Sequence, residues 1–227
     1  MTPLYEDNHI IIVNKSAGEI VQGDKTGDAP LSDIVKGYLK EKYNKPGEVF
    51  LGVVHRLDRP VSGVVVFAKT SKALTRLNEM FRKGEVHKTY HAILPQTPKL
   101  ALTETPTLLT HFLTRNEKQN KAYAFTKEVQ GSKKATLDYQ VIETSDRYAL
   151  LQVNLHTGRH HQIRCQLATA LAPIKGDLKY GSPRSNADGS ICLHARMVKF
   201  IHPVSKQEVC VTAPYPQLPI WSIFPQE

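Results

Sequence analysis

A chain of 227 residues, 41% hydrophobic and 22% charged, is long enough for one large core and is composed like an ordinary water-soluble globular protein. No apolar run approaches eighteen residues and no basic-then-apolar leader opens the chain, so membrane-spanning and secreted classes are set aside and a cytoplasmic location is expected. The three cysteines, Cys165, Cys192 and Cys210, are too few and odd in number to imply a disulfide framework. Lys and Arg outnumber Asp and Glu by 30 to 21, and this basic excess suits a polyanionic partner, nucleic acid before an anionic membrane surface.

Residues 9–13 form an apolar, β-branched run that reads as a strand. Leu31, Ile34, Val35, Tyr38 and Leu39 recur at helical spacing, which predicts an amphipathic helix from 31 to about 43. Residues 49–54 and 64–68 read as buried strands on either side of a polar turn. Ala73, Leu74, Leu77, Met80 and Phe81 predict a second helix, ended by Gly84, and 88–94 the next strand. Residues 103–134 are polar and basic, with Arg115, Lys118, Lys121, Lys127, Lys133 and Lys134, and are expected to make a hairpin with long loops. Clean alternation at Leu137, Tyr139, Val141 and at Leu151, Val153, Leu155 predicts two half-buried antiparallel neighbours joined through 144–148. Ile163, Leu167, Ala170 and Leu171 suit a short helix that starts close to the end of the preceding strand. Residues 192–200 and 209–212 supply two more strands around a His202-Pro203 turn. Strands and helices mix without strict alternation, so the expected class is α+β with a largely antiparallel sheet and flanking helices. No repeat, low-complexity tract or linker interrupts the chain, and a single domain over 1–227 is expected.

The most informative segment is His55-Arg56-Leu57-Asp58-Arg59-Pro60-Val61-Ser62-Gly63, a carboxylate between two arginines in a turn bounded by apolar runs. The guanidinium groups favour an anionic Asp58, which suits either a solvated salt-bridge loop or a catalytic carboxylate. Three chemistries compete for the polar residues. A metal site could draw on His156, His160, His161 and Cys165, but Arg159 and Arg164 lie among them and a dication beside two guanidiniums is unfavourable. A Ser or Cys nucleophile is poorly supported, since Ser62 lacks a nucleophile elbow and no cysteine sits in a triad-like setting. Carboxylate catalysis on a nucleotide needs an ionised Asp, a cation, an aromatic platform and basic surface, and Asp58, Arg164, Tyr90 and the basic excess meet those needs. By position alone, Tyr90 reads equally as a core tyrosine and Arg164 as half of a structural ion pair.

The Asp58 segment has companions in fixed order: His87-Lys88-Thr89-Tyr90-His91-Ala92, His156-Thr157-Gly158-Arg159-His160-His161-Gln162-Ile163-Arg164, Ile174-Lys175-Gly176-Asp177 with Tyr180-Gly181, Leu193-His194-Ala195 and His202-Pro203. Together these resemble the RluA-like family of RNA pseudouridine synthases, over nearly the whole chain. The resemblance implies the pseudouridine synthase catalytic fold and isomerisation of uridine to pseudouridine in rRNA or tRNA, without cofactor or metal. It implies that Asp58 is the catalytic residue, that Tyr90 stacks on the target base, that Arg164 pairs with Asp58 and that Ile163 packs beneath the base. Arg56 would hold the flipped position, with Arg159, His161 and Gln162 completing the substrate-binding motif. Gly176 and Asp177 are read as loop-shaping. Asp58 would act as nucleophile at C1′ or as base at the 2′ position. Many relatives carry an N-terminal S4-type RNA-binding module; here the catalytic pattern begins at Leu4, so RNA contacts are expected from the catalytic domain, on a small stem-loop target, with no obligate protein partner. Three positions depart from the family pattern: Ser16 where Pro is usual, Val61 where Thr is usual, and Gln166 where His is usual, the last putting a supporting hydrogen bond in doubt. A non-catalytic RNA-binding protein on the same fold is the rival reading, and a metal-dependent hydrolase a second.

Overall fold

A computed structural model describes residues 2–23 and 27–224. In chain order the elements are β1 (Tyr5–Glu6), β2 (Ile10–Lys15), α1 (Leu31–Lys42), β3 (Gly52–Val53), β4 (Ser62–Ala68), α2 (Ser71–Lys83), β5 (His87–Pro95), β6 (Thr107–Asn116), β7 (Lys121–Phe125), β8 (Lys133–Thr144), β9 (Tyr148–Leu155), α3 (Gln162–Ala170), β10 (Leu193–Ile201) and β11 (Glu208–Thr212). Short 3-10 turns occupy Leu178–Tyr180 and Trp221–Ile223. The class is α+β, and the chain divides into two compact units, Met1–His87 with Ala195–Tyr215 and Lys88–His194 with Pro216–Glu227.

In the first unit the order is β1-β2-β4-β10-β11. β2 and β4 pair antiparallel from Ile10↔Ala68 to Lys15↔Gly63. One face of this sheet, Ile10, Ile12, Val64 and Val66, packs with Ala73 and Leu77 of α2 and with Val198, Phe200, Val209 and Val211. Ile11, Val13, Val65 and Phe67 on the other face are buried as well. Covering both faces is why β2 and β4 read as continuous apolar runs instead of alternating ones. α2 begins where the Thr70 hydroxyl accepts the Ala73 N–H and stops at Gly84, whose φ of 75° lets the chain turn out of the helix.

The strand expected over 49–54 is only Gly52–Val53 long. It pairs with Phe67 and Ala68, while the rest of that edge of β4 runs beside β10. The Val66 N–H is taken by the His55 ring at 2.9 Å, which ends the ladder.

The strands of the second unit pair antiparallel in the order β5-β9-β8-β6-β7. α3 lies against its β6–β7 end, where Cys165 packs with Leu113, Ala122 and Ala135. Within residues 103–134, β6 and β7 form a hairpin through a short turn and a second short connection leads from β7 to β8, which pairs with β6 instead, so the loops are shorter than expected. The Asn116 side chain accepts the Gln119 N–H at 3.0 Å, and Ser132 both accepts from and donates to the Val129 backbone, so each turn closes on its own side chains. Among the described residues, no helix is long and apolar enough to cross a membrane.

Candidate active site

In the first unit, Asp58 sits half-buried on the connection from β3 to β4. Its carbonyl accepts the Val61 N–H at 3.0 Å, closing a tight turn, and the Arg59 carbonyl accepts the Gly18 N–H at 2.8 Å. Gly63 starts the exit strand at φ 116°, and a Cβ there would lie 2.3–2.7 Å from the backbone of Ala195, so only glycine lets β4 approach β10 this closely. His55 accepts from Val66 through Nε2, which puts its own proton on Nδ1, and its ring stacks on Phe81 with centroids 4.9 Å apart.

The two arginines that flank Asp58 in sequence do different things. Arg56 is exposed, and Arg59 reaches Asp28 with Nη2 2.6 Å from Oδ2. A cation that the sequence reading missed lies under the turn instead. Lys15, fully buried at the end of β2, donates to the carbonyls of Ser16 (3.0 Å), Arg59 (3.1 Å) and Val61 (2.6 Å). Burial lowers its pKa to about 8, with Glu19 and Asp58 pulling upward and Arg59 downward. The ammonium therefore persists at neutral pH. Only its position next to Ser16, at the end of an apolar strand, could have signalled it.

In the second unit, Tyr90 is buried on β5 opposite Val153 of β9. The adjacent Thr89 opens a polar row across three strands. Its hydroxyl donates to Asn154 at 2.9 Å, Asn154 donates to Asp138 at 2.8 Å, and Asp138 Oδ2 lies 2.7 Å from His156 Nε2. Burial lowers the pKa of Lys88, which lies near Gly158.

The segment 156–164 is bound to β8 at several points: the His156 and Thr157 N–H groups donate to the Thr136 carbonyl at 3.1 and 3.2 Å, and the Thr157 hydroxyl accepts the Thr136 N–H at 2.9 Å. Gln162, buried, accepts from the Thr157 hydroxyl (2.8 Å) and the Arg159 N–H (3.0 Å) and donates to the Thr136 carbonyl (3.1 Å). His161 takes the left-handed conformation at φ 51° just before α3, and its Nδ1 lies 2.9 Å from the Tyr180 hydroxyl. Arg159 extends along β8 and donates Nε to the Lys134 carbonyl at 3.3 Å. One turn into α3, Arg164 makes a bidentate pair with Asp177, Nε to Oδ2 at 2.7 Å and Nη2 to Oδ1 at 2.9 Å, both side chains buried. Its guanidinium lies 5.2 Å from the centre of the Tyr180 ring, and Tyr180 in turn accepts the Ala122 N–H at 2.9 Å. Asp177, read from sequence as loop-shaping, is thus also a charge partner. Ile163, on the same turn of helix, is buried.

Residues 9–169 match the RNA pseudouridylate synthase family, a span that includes Asp58, Tyr90 and Arg164. The chain belongs to this family. It is 32% identical over 94% of its length to ribosomal large subunit pseudouridine synthase D of Xylella fastidiosa, of which it spans 66%. It is 30% identical over 92% of its length to tRNA pseudouridine synthase C of Vibrio vulnificus, of which it spans 89%. The solved structure of human RNA pseudouridylate synthase domain containing 4 superposes with a TM-score of 0.77 over 97% of this chain and 91% of that one, at 23% identity, which shows a shared fold.

Within this pseudouridine synthase the departures from the RluA-like pattern have visible consequences. Ser16, unlike proline, has an N–H, and it donates to Glu19 at 2.7 Å. Gln166 is fully buried and places Nε2 3.0 Å from His111 Nδ1, so a hydrogen bond is made there without a histidine at 166. Val61 is buried, and its backbone alone serves the turn. The histidines once weighed as metal ligands point to separate partners: His156 to Asp138, His161 to Tyr180, and His160 stacked on His161 at 3.8 Å. Among the described residues, no group of three or more His, Cys, Asp or Glu side chains is placed to hold a metal ion.

Proposed function

We propose that this chain isomerises uridine to pseudouridine in a structured rRNA or tRNA, with Asp58 as its essential carboxylate. The observation that carries the reading is the family match across residues 9–169, with the Asp58 turn, Tyr90 and Arg164 all inside it. In the reaction, the C1′–N1 bond breaks, the uracil turns, and C5 bonds to C1′. C5 loses its proton and N1 gains one, so nothing is oxidised and no group leaves. Such a reaction calls for no redox cofactor. Asp58 acts on the ribose, as nucleophile at C1′ or as base at the 2′ position; deuterium at C2′ slows only the second route.

The target uridine leaves its stack, at a cost of a few kcal/mol, and its base is held by Tyr90 from one side with Ile163 beneath. Arg164 serves as the cationic partner of the catalytic carboxylate, and Arg56 helps hold the emptied or flipped position. Arg159 and the lysines of β6–β8 hold phosphates, which makes binding salt-dependent. Gln162 and His161 act through the loop they shape, since Gln162 spends its side chain on Thr157, Arg159 and Thr136, and His161 packs against Tyr180. The chain acts as a single catalytic domain over 1–227, in the cytoplasm, on RNA without an obligate protein partner.

Pseudouridine mapping of total RNA, with and without this chain, tests the function. Sites that vanish on deletion, return with the wild-type chain and fail to return with Asp58→Asn support it and name the RNA. An Asp58→Asn chain that restores the sites would refute the role of Asp58. RNA binding by the wild type with no pseudouridine formed in any RNA would point to the non-catalytic rival.

A further inference from the structure

We propose that the outer face of β6 and β7 is a stacking platform for unpaired RNA bases, with Phe112, Tyr123 and Phe125 as its rings and Lys121, Lys134 and Arg159 as its phosphate-holding rim. The proposal deepens the reading of RNA as the substrate and rests on it.

Strand pairing sets which side chains share this face. Phe112 stands opposite Phe125 of β7 on one side and Lys134 of β8 on the other. Tyr123, opposite Thr114, lies two residues along β7 from Phe125 and so shares its face, about 7 Å further on. The alternate residues Leu113, Ala122 and Ala135 take the other face and are buried with Cys165 of α3. The outer face stays open, with Tyr123 38% exposed and Phe125 39%. An open sheet face ordinarily carries polar side chains, as Thr110, paired with Thr136, and Thr114 do here. The three rings add nothing to the core under α3; what they offer is flat apolar surface.

The cations around the rings call for an anionic occupant. Lys121 Nζ lies 5.7 Å from the centre of the Tyr123 ring and 5.2 Å from that of Tyr180. Lys134 is exposed beside Phe112, and Arg159, also exposed, donates Nε to its carbonyl. Asp138, in register with Leu108 further along the same face, is already occupied by His156 and Asn154. The Tyr123 hydroxyl donates to the Gln119 side chain, which fixes the direction of the ring. Rings flanked by ammonium and guanidinium groups match the alternation of base and phosphate along a single strand. In a duplex the bases hide their faces against one another, so the platform selects unpaired nucleotides. The substrate RNA therefore presents unpaired bases beyond the target uridine itself.

The test uses the full chain and a short, unstructured, fluorescently labelled RNA strand, alone or annealed to its complement, with affinity read by anisotropy. Tyr123→Leu and Phe125→Leu keep apolar bulk on the strand but remove the π face. Each should weaken single-strand binding at least about fivefold and duplex binding by less than about twofold. Tyr123→Phe and Phe125→Tyr, which keep a ring, should bind the strand as the wild type does. Lys134→Ala should weaken binding of both forms and lower the salt slope by about one. Unchanged single-strand affinity in both leucine variants overturns the proposal, as does a wild type that binds no single strand. Equal losses for strand and duplex also overturn it, since stacking cannot act on a paired base. Self-association that the leucine variants abolish, with RNA affinity intact, assigns the face to a second copy of the chain instead. Tritium release from uracil C5 in total RNA separates the platform from the catalytic reading, because that hydrogen leaves as C5 bonds to C1′. A wild type that releases none, yet loses strand affinity in the leucine variants, refutes the isomerase and keeps the platform.

Discussion

Arg164 and Asp177 form a buried bidentate ion pair, with both nitrogen–oxygen distances below 3 Å, that ties α3 to the start of the 3-10 turn thirteen residues later. The carboxylate is 1% exposed and the guanidinium side chain 6%, so neither charge has water to fall back on. Removing one partner therefore costs more than the pair itself contributes. Asp177→Ala should destabilise the protein by about 3–5 kcal/mol in urea unfolding, with Asp177→Asn in between. A loss under about 1 kcal/mol would mean that Arg164 is compensated by other groups.

Gly63 meets Ala195 across the junction of β4 and β10 with no room for a side chain. Gly63→Ala adds a Cβ against backbone, which cannot swing aside, in a φ that L residues rarely adopt. The expected cost is about 3 kcal/mol or more, read as a lowered thermal midpoint. Gly84→Ala, also at positive φ but with open space around its Cβ, should cost about 1 kcal/mol, and equal losses at the two positions would contradict the close-contact account.

Glu6 joins β1 to α1 and β4. It accepts from Lys42 at 2.7 Å, Tyr38 at 3.1 Å, Tyr43 at 2.7 Å and Lys69 at 2.8 Å. Burial alone would raise its pKa, but the hydrogen bonds from Lys42, Lys69 and Tyr43 outweigh it and hold the carboxyl at about 2. A carboxylate depressed in the folded state adds stability above its unfolded value near 4.5, and that stability is lost as pH falls towards 2. The contribution is on the order of 2 kcal/mol. Unfolding free energy should thus drop between about pH 4.5 and 2, and Glu6→Gln should flatten that part of the curve. An identical slope in the variant would assign the acid lability elsewhere.

Gln162 carries three hydrogen bonds that hold residues 157–159 against β8. Gln162→Ala strands the Arg159 N–H, while the Thr136 carbonyl keeps the His156 and Thr157 N–H groups, so the expected cost is about 1–2 kcal/mol. In a pseudouridine synthase it should also loosen the Arg159 loop. RNA affinity is expected to fall at least about threefold, and to depend less steeply on salt than in the wild type, since a phosphate contact is lost. Full stability with normal RNA affinity would show the loop to be held without it.

What the sequence determined by itself is the part written in short-range patterns. α2 and its stop at Gly84 follow from helical spacing plus a residue able to adopt positive φ, and β8 with β9 follow from strict alternation. The Asp58 turn and the motifs around Tyr90 and Arg164 are local strings, legible before any contact is known, and they carried the family resemblance. Tertiary structure decided the rest, because those outcomes depend on residues far apart in the chain. β3 is short because most of that edge of β4 lies beside β10, a strand some 130 residues further on. Lys15 reads as a surface lysine until Arg59 and Val61, over forty residues away, bring carbonyls to it. Asp177 reads as a turn former until α3 swings Arg164 against it. A buried charge is tolerated only where distant groups arrive to satisfy it, and no local pattern records that arrival.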